Sequence, residues 1–245
     1  MTSFNYKKTG NGEKAMLTFH GYGQDNSVFN EYSRHKEYTF YHIDLFFHGQ
    51  SEWNKGEQPL EKHELKKLIE DILAKENIRS FSVLGFSMGG KFALATLESF
   101  PGRIDEIILV APDGIKTSFW YNLATYPISF RKLFKSMIDH QSRFLRIATA
   151  ARKLGLIDKG VLRFVETQMD SEEKRKQVYY SWVVFRRLRF DIPKIRKIIQ
   201  DNNIRLRLIV GRHDKIIRAE DMKRLTSKIE ILDAGHTNII DKIRL

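Results

Sequence analysis

Short apolar runs separated by longer amphipathic stretches organise most of this chain. Met16-Leu17-Thr18-Phe19 runs into His20, and Tyr38-Thr39-Phe40-Tyr41-His42-Ile43 is rich in aromatic and β-branched side chains, so the pattern predicts strands at 16–20 and 38–43. From Glu61 to Lys75, Leu65, Leu68, Ile69, Ile72 and Leu73 recur at helical spacing among charges, which predicts an amphipathic helix. A strand at 81–86, a helix at 89–99 and a strand at 104–111 then complete two βα units, and strands are expected again at 206–210 and 229–232. Such alternation implies a mostly parallel central sheet flanked by helices. Ahead of it, the first dozen residues, with Thr9-Gly10-Asn11-Gly12 as a turn, read as a hairpin leading into the strand at 16.

The alternation stops after Ala111-Pro112-Asp113-Gly114, and about eighty residues without a clear strand intervene before it resumes at Ile204. Helices are expected there at 126–138, 144–153, 160–167 and 172–189. The chain therefore divides into an α/β core, 1–114 and 196–245, and a helical insertion, 115–195, placed after the sixth strand. With 245 residues, one domain bearing an insertion fits better than two unrelated domains.

Charge sharpens that division. The formal net charge is +12, and residues 115–195 carry seventeen Lys and Arg against seven Asp and Glu, so nearly all the excess lies in the insertion. Solvated helix faces, attraction of an anionic substrate and contact with an anionic membrane surface all fit such a segment, the last because of Phe185-Arg186-Arg187-Leu188-Arg189-Phe190. Its aromatic residues, Trp120, Tyr121 and Trp182 among them, are candidates for the wall of a small-molecule pocket, together with Phe86.

The candidate chemistry centres on Gly85-Phe86-Ser87-Met88-Gly89, which follows the strand at 81–86 and opens the helix at 89–99. A serine at the apex of a sharp strand-to-helix turn is exposed and aimed, and the flanking glycines leave room for the tight bend. Ser87 also stands at a helix N-terminus, where free N–H groups favour negative charge. Acyl transfer needs an oxyanion hole, a base and an acid to orient the base. The loop His20-Gly21-Tyr22-Gly23 can supply the backbone N–H of Tyr22, and Met88 supplies a second. His236 follows the last expected strand. Two aspartates stand just past strand ends: Asp214, in Gly211-Arg212-His213-Asp214, is the favoured acid, and Asp113 is the alternative.

These motifs, with Asp44-Leu45-Phe46-Phe47-His48-Gly49-Gln50-Ser51 and Gly235-His236, resemble the α/β-hydrolase superfamily over essentially the whole chain. The resemblance implies an α/β-hydrolase fold whose insertion is a cap, and a Ser87-His236-Asp214 triad that hydrolyses a carboxylic ester or thioester. It also extends to the menaquinone-pathway synthase, a lyase that eliminates pyruvate and carries a basic residue after its elbow; here that residue is Lys91, where arginine is usual. Carbon–carbon bond cleavage by the same triad is thus the alternative chemistry. The family usually has glycine or a small residue at the position of Phe47. His20, His48 and Asp44 read as residues that brace glycine-rich loops.

Other classes fit poorly. There is no cysteine, so neither disulfides nor thiolate chemistry are available. No histidine pair has metal-ligand spacing, and the segment 85–91 is not a phosphate loop because Phe92 follows Lys91. No cofactor and no metal are expected. The charge lacks a nucleic-acid-binding module, and no apolar run approaches the ~18 residues of a membrane span. A cytoplasmic monomer or homodimer acting on a small molecule, anionic where the basic insertion attracts it, is the expectation.

Overall fold

Among the described residues, seven strands form one sheet in the order β1-β3-β2-β4-β5-β6-β7. They are β1 (Tyr6–Gly10), β2 (Lys14–Phe19), β3 (Tyr38–Ile43), β4 (Phe81–Phe86), β5 (Ile104–Val110), β6 (Arg205–Gly211) and β7 (Glu230–Leu232). All neighbours run parallel except β1, which pairs antiparallel with β3. The computed structural model describes residues 2–117, 119–140, 142–143, 146, 149–150 and 171–245.

The expected hairpin at the N-terminus does not form. β1 and β2 follow one another in sequence, but β3 lies between them in the sheet. The turn crosses the start of β3 at close range: Lys14 N–H donates to Glu37 O at 3.1 Å, and a Cβ at Gly12 would overlap the Glu37–Tyr38 peptide. Glycines that read as hairpin formers are needed here for a backbone crossing. The insertion accordingly follows the fifth strand and not the sixth.

Helices α1 (Lys62–Lys75) and α2 (Gly89–Ser99) cover the sheet through buried Leu65, Ile69, Ile72 and Leu73 on α1 and Phe92, Ala93, Leu94 and Leu97 on α2. The helical spacing read in the sequence is the burial stripe found in α1. β4, at the centre of the sheet, is buried along its whole length, and its neighbours β2 and β5 carry it from both sides.

By contact the chain forms two compact units. One comprises Met1–Gly56, Leu60–Thr117 and Arg187–Leu245; the other comprises Glu57–Pro59 and Ser118–Arg186. The first unit extends further into the insertion than composition indicates, because Ile115 is buried and the Phe190 ring takes Lys62 Nζ at 4.5 Å from its centre. It also contains α6 (Ile192–Asp201), an amphipathic helix capped by the Asp191 carboxylate and buried through Ile192, Ile195 and Ile199. The second unit contains α3 (Phe119–Thr125), α4 (Ile128–Asp139) and α5 (Glu172–Val184), packed around Phe134, Ile138, Tyr179 and Val183. The helix read as 172–189 ends at Val184 and passes into a 3-10 turn at Phe185–Arg187. The helices expected at 144–153 and 160–167 fall largely outside the described residues. No helix among the described residues is long and apolar enough to cross a membrane.

Candidate active site

Ser87 sits at the junction of β4 and α2 with φ +50°. A non-glycine residue in this left-handed region stores about 1–3 kcal/mol, which the surroundings must hold. They do so through the backbone: Ser87 N–H donates to Val110 O at 2.9 Å, and Ser87 O accepts from Gly90 N–H and Asp113 N–H, each at 2.8 Å. The glycines are spatial requirements. A Cβ on Gly85 would lie 2.7 Å from that of Ala93, one on Gly89 would overlap the Phe19 carbonyl, and one on Gly90 would lie 2.6 Å from Pro112 Cβ.

The strained serine meets its expected partner. Ser87 Oγ lies 2.9 Å from His236 Nε2, and His236 Nδ1 lies 2.6 Å from Asp214 Oδ2. The carboxylate can only accept, so the ring proton belongs on Nδ1, leaving Nε2 to accept from the serine hydroxyl. Asp214 Oδ1 accepts from the N–H groups of Ile216 and Ile217, both at 2.8 Å, and the side chain is 0% exposed. Burial alone would raise its pKa; the hydrogen bonds from His236 and from Ile217 and Ile216 outweigh it and hold the carboxyl below the usual range. The loops that carry these residues are bolted together, since Arg212 N–H and His213 N–H donate to Leu232 O and Ala234 O at 2.8 and 2.9 Å. His213 itself turns outward to Asp233 at 2.7 Å.

The loop after β2 is fixed from beneath. Leu45 N–H donates to His20 Nε2 at 2.9 Å, so the His20 proton sits on Nδ1 and donates to Gly21 O at 2.7 Å. Burial drives the His20 pKa down to about 4, which keeps the ring neutral as this pattern requires. Gln24 Oε1 accepts from Gly21 N–H at 3.0 Å. Among the described residues, the N–H groups of Tyr22 and Met88 donate to no protein acceptor.

Two readings of individual residues change. Phe86 is 2% exposed and packs under the site, its ring centre 5.5 Å from that of His236, and so supports the base instead of walling an open pocket. Asp113, the alternative acid, is engaged elsewhere: its Oδ2 lies 2.8 Å from Lys91 Nζ and its Oδ1 accepts from Gly114 N–H at 2.7 Å. Tyr121 and Trp182 are brought to each other in the second unit, rings 5.3 Å apart, with the Tyr121 hydroxyl donating to Trp182 O at 3.0 Å. Trp120 belongs to α3, and its side chain lies outside the described residues.

Asp44 is a larger hub than its reading as a loop anchor implied. Its buried carboxylate accepts from Asn26 N–H, Asn5 Nδ2 and Gln50 N–H at 2.8, 2.8 and 3.0 Å, and its carbonyl accepts from Ser51 Oγ at 2.6 Å. Phe47 has φ +67°, a left-handed conformation that glycine adopts without strain. No cluster of potential metal ligands occurs among the described residues.

A family model described as alpha/beta hydrolase fold matches residues 14–243. A Mycoplasma genitalium protein named as an esterase/lipase is 27% identical over 151 residues, 58% of this chain and 56% of that protein. The chain spans about half or less of the length of the curated relatives it matches. Among solved structures, a thermophilic esterase from Thermogutta terrifontis superposes with a TM-score of 0.66 at 16% identity, covering 98% of this chain and 88% of that one. The meta-cleavage product hydrolase from Pseudomonas fluorescens gives 0.59 at 18% identity, covering 98% and 89%. Two proteins named for different reactions thus share this fold, which by itself selects neither.

Proposed function

Because the chain belongs to the alpha/beta hydrolase fold family, matched over residues 14–243, we propose that it is a serine hydrolase cleaving a carboxylic ester or thioester through an acyl-Ser87 intermediate. The observation that carries this reading is the unbroken line Ser87 Oγ, His236, Asp214, at 2.9 and 2.6 Å, with the serine held at φ +50°.

In this reading His236 Nε2 takes the Ser87 proton as Oγ attacks the carbonyl carbon. Asp214 keeps the Nδ1 proton in place and stabilises the imidazolium as it forms. The N–H groups of Tyr22 and Met88 receive the oxyanion, a contribution for which each donor is worth about 10²–10³ in rate. His236 then returns the proton to the leaving alkoxide or thiolate. Water, deprotonated by the same nitrogen, attacks the acyl carbon and releases the acid and free Ser87. Residues 115–195 are the candidate cap, and their positive charge favours an anionic acyl or leaving group.

A fluorophosphonate probe tests the nucleophile. It is expected to label Ser87 of the folded protein and to leave Ser87→Ala unlabelled; absence of labelling in the folded wild type would sink the mechanism. A panel of p-nitrophenyl esters and acyl-coenzyme A thioesters at two salt concentrations tests the substrate class. A preference for anionic substrates that weakens with salt supports an electrostatic role for the insertion, and indifference to salt removes it.

A further inference from the structure

Lys91 and Asp113 both stand beside the elbow, and neither has a place in the triad. Lys91 lies in the first turn of α2 with its side chain only 6% exposed. A cation there faces the positive end of the helix dipole, and a buried ammonium persists only beside a partner. Asp113 supplies one at 2.8 Å. An apolar side chain would fill the same space without desolvating a charge, and replacing buried ion pairs in that way is often neutral or stabilising. Stability is therefore a poor account of the pair, and geometry offers a better one.

The relevant geometry runs through the Asp113 backbone. Its N–H is one of two that grip the Ser87 carbonyl, at 2.8 Å, and is a backbone hydrogen bond by which the loop leaving β5 reaches the elbow. The Asp113 carboxylate is fixed on both oxygens, by Lys91 Nζ and by Gly114 N–H at 2.7 Å. Gly114 sits at φ +109°, where a side chain is strained, and a Cβ there would press on Leu94 at 3.2 Å and on the Lys91 stem at 3.3 Å. Lys91 belongs to the helix that Ser87 precedes, so the pair closes a ring: nucleophile carbonyl, Asp113 backbone, Asp113 carboxylate, Lys91, α2.

We propose that the Lys91–Asp113 ion pair is a positioning element for Ser87. It pins the Asp113 N–H against the Ser87 carbonyl and thereby keeps the serine in its left-handed conformation with Oγ on His236. The basic residue after the elbow is thereby assigned to the enzyme's own backbone and not to the substrate. This rests on the reading of Ser87 as the nucleophile.

The test uses the full chain as wild type, Lys91→Met, Asp113→Asn, the double variant and Lys91→Arg. Three quantities are read: the second-order rate of fluorophosphonate labelling, kcat and KM on a short p-nitrophenyl ester, and amide hydrogen exchange at Asp113 and Gly90. Each charge-removing single variant is expected to label about 10-fold more slowly with KM changed less than about 2-fold. The double variant should be no slower than the worse single, as expected of residues acting together, and Lys91→Arg should recover to within about 3-fold of wild type. Exchange at Asp113 should quicken about 10-fold in Lys91→Met while the centre of β4 stays protected.

Unchanged labelling and unchanged protection at Asp113 would overturn the proposal. So would a rise in KM at constant labelling rate, which would return Lys91 to substrate binding. If Lys91→Met does not fold, Asp113→Asn and Lys91→Arg carry the same comparison. If the wild type itself does not react, the nucleophile reading has failed, and hydrogen exchange still decides whether the pair holds the elbow.

Discussion

Asp113 stands three residues beyond the end of β5, and Asp214 stands three residues beyond the end of the adjacent β6. Each uses Oδ2 for a charged or chargeable nitrogen and Oδ1 for backbone N–H groups. Their fates differ because different neighbours lie across from them. The loop after β6 is hydrogen-bonded to the loop after β7, which delivers His236; the loop after β5 is hydrogen-bonded to the elbow, where α2 delivers Lys91. Exposure follows: the Asp214 side chain is sealed, whereas that of Asp113 is 36% exposed. Position past a strand end offers a site for chemistry, and the adjoining loop decides which chemistry it does.

The largest effect should come from substitutions that strip each aspartate of its charge while keeping its shape. Asp214→Asn is expected to lower kcat on the order of 10⁴-fold, because the amide can donate to Nδ1 and favour the wrong tautomer of His236. Asp113→Asn should cost only about 10-fold, through geometry. Steady-state kinetics on one ester compares them directly. Equal losses would mean that Asp113 takes part in proton transfer, and the contrast between the two loops would collapse.

Glycines on the two sides give a second, smaller contrast. Gly90→Ala places a Cβ 2.6 Å from Pro112 Cβ and 2.9 Å from Asp113 O, so the loop after β5 must move. Overpacking of this kind costs about 1–3 kcal/mol, and fluorophosphonate labelling should slow with it. Gly235→Ala, beside the base, meets nothing nearer than Asn238 Oδ1 at 3.6 Å and should shift stability by less than about 0.5 kcal/mol. Denaturant midpoints measure both; a Gly235→Ala loss as large as that of Gly90→Ala would show that the two loops are equally tight.

The pattern of apolar and polar positions disclosed β3, β4 and α2 to the residue and placed Ser87, His236 and Asp214 at element ends, since these depend on local periodicity and turn chemistry. Sheet order was not legible at the N-terminus: Gly10 and Gly12 suit a hairpin as well as a crossing, and only the pairing of β1 with β3 distinguishes them. Nor could the chain reveal what Asp113 binds. A lysine at position 91 predicts a charge near the elbow, but its direction depends on packing between α2 and the loop after β5. For Phe86, an aromatic next to a nucleophile reads equally as pocket wall or as floor, and burial decides for the floor. The Asp44 hub gathers partners from residues 5, 26 and 50, a convergence that no local pattern encodes.

The smallest expected effect extends the comparison to histidines. His236 has a carboxylate at Nδ1, while His42 is buried between the hydroxyls of Thr9 and Thr18, each at 2.8 Å, and His20 is held by backbone groups. Burial lowers the pKa of both His20 and His42 to about 4, well below the unfolded value. The unfolded chain therefore binds more protons than the folded one between about pH 6.5 and 4. The stability these neutral rings contribute is complete above about pH 6.5 and is lost as pH falls toward 4. His20 and His42 each take up most of a proton on unfolding near pH 5, and His48, whose pKa burial also lowers, adds to the slope, so His42→Gln should make the slope shallower without abolishing it. Urea unfolding at pH 7, 6 and 5 reads that slope independently of any loss of stability at neutral pH. An unchanged slope would mean that His42 is already protonated in the fold, and that a buried ring here keeps its charge without a carboxylate.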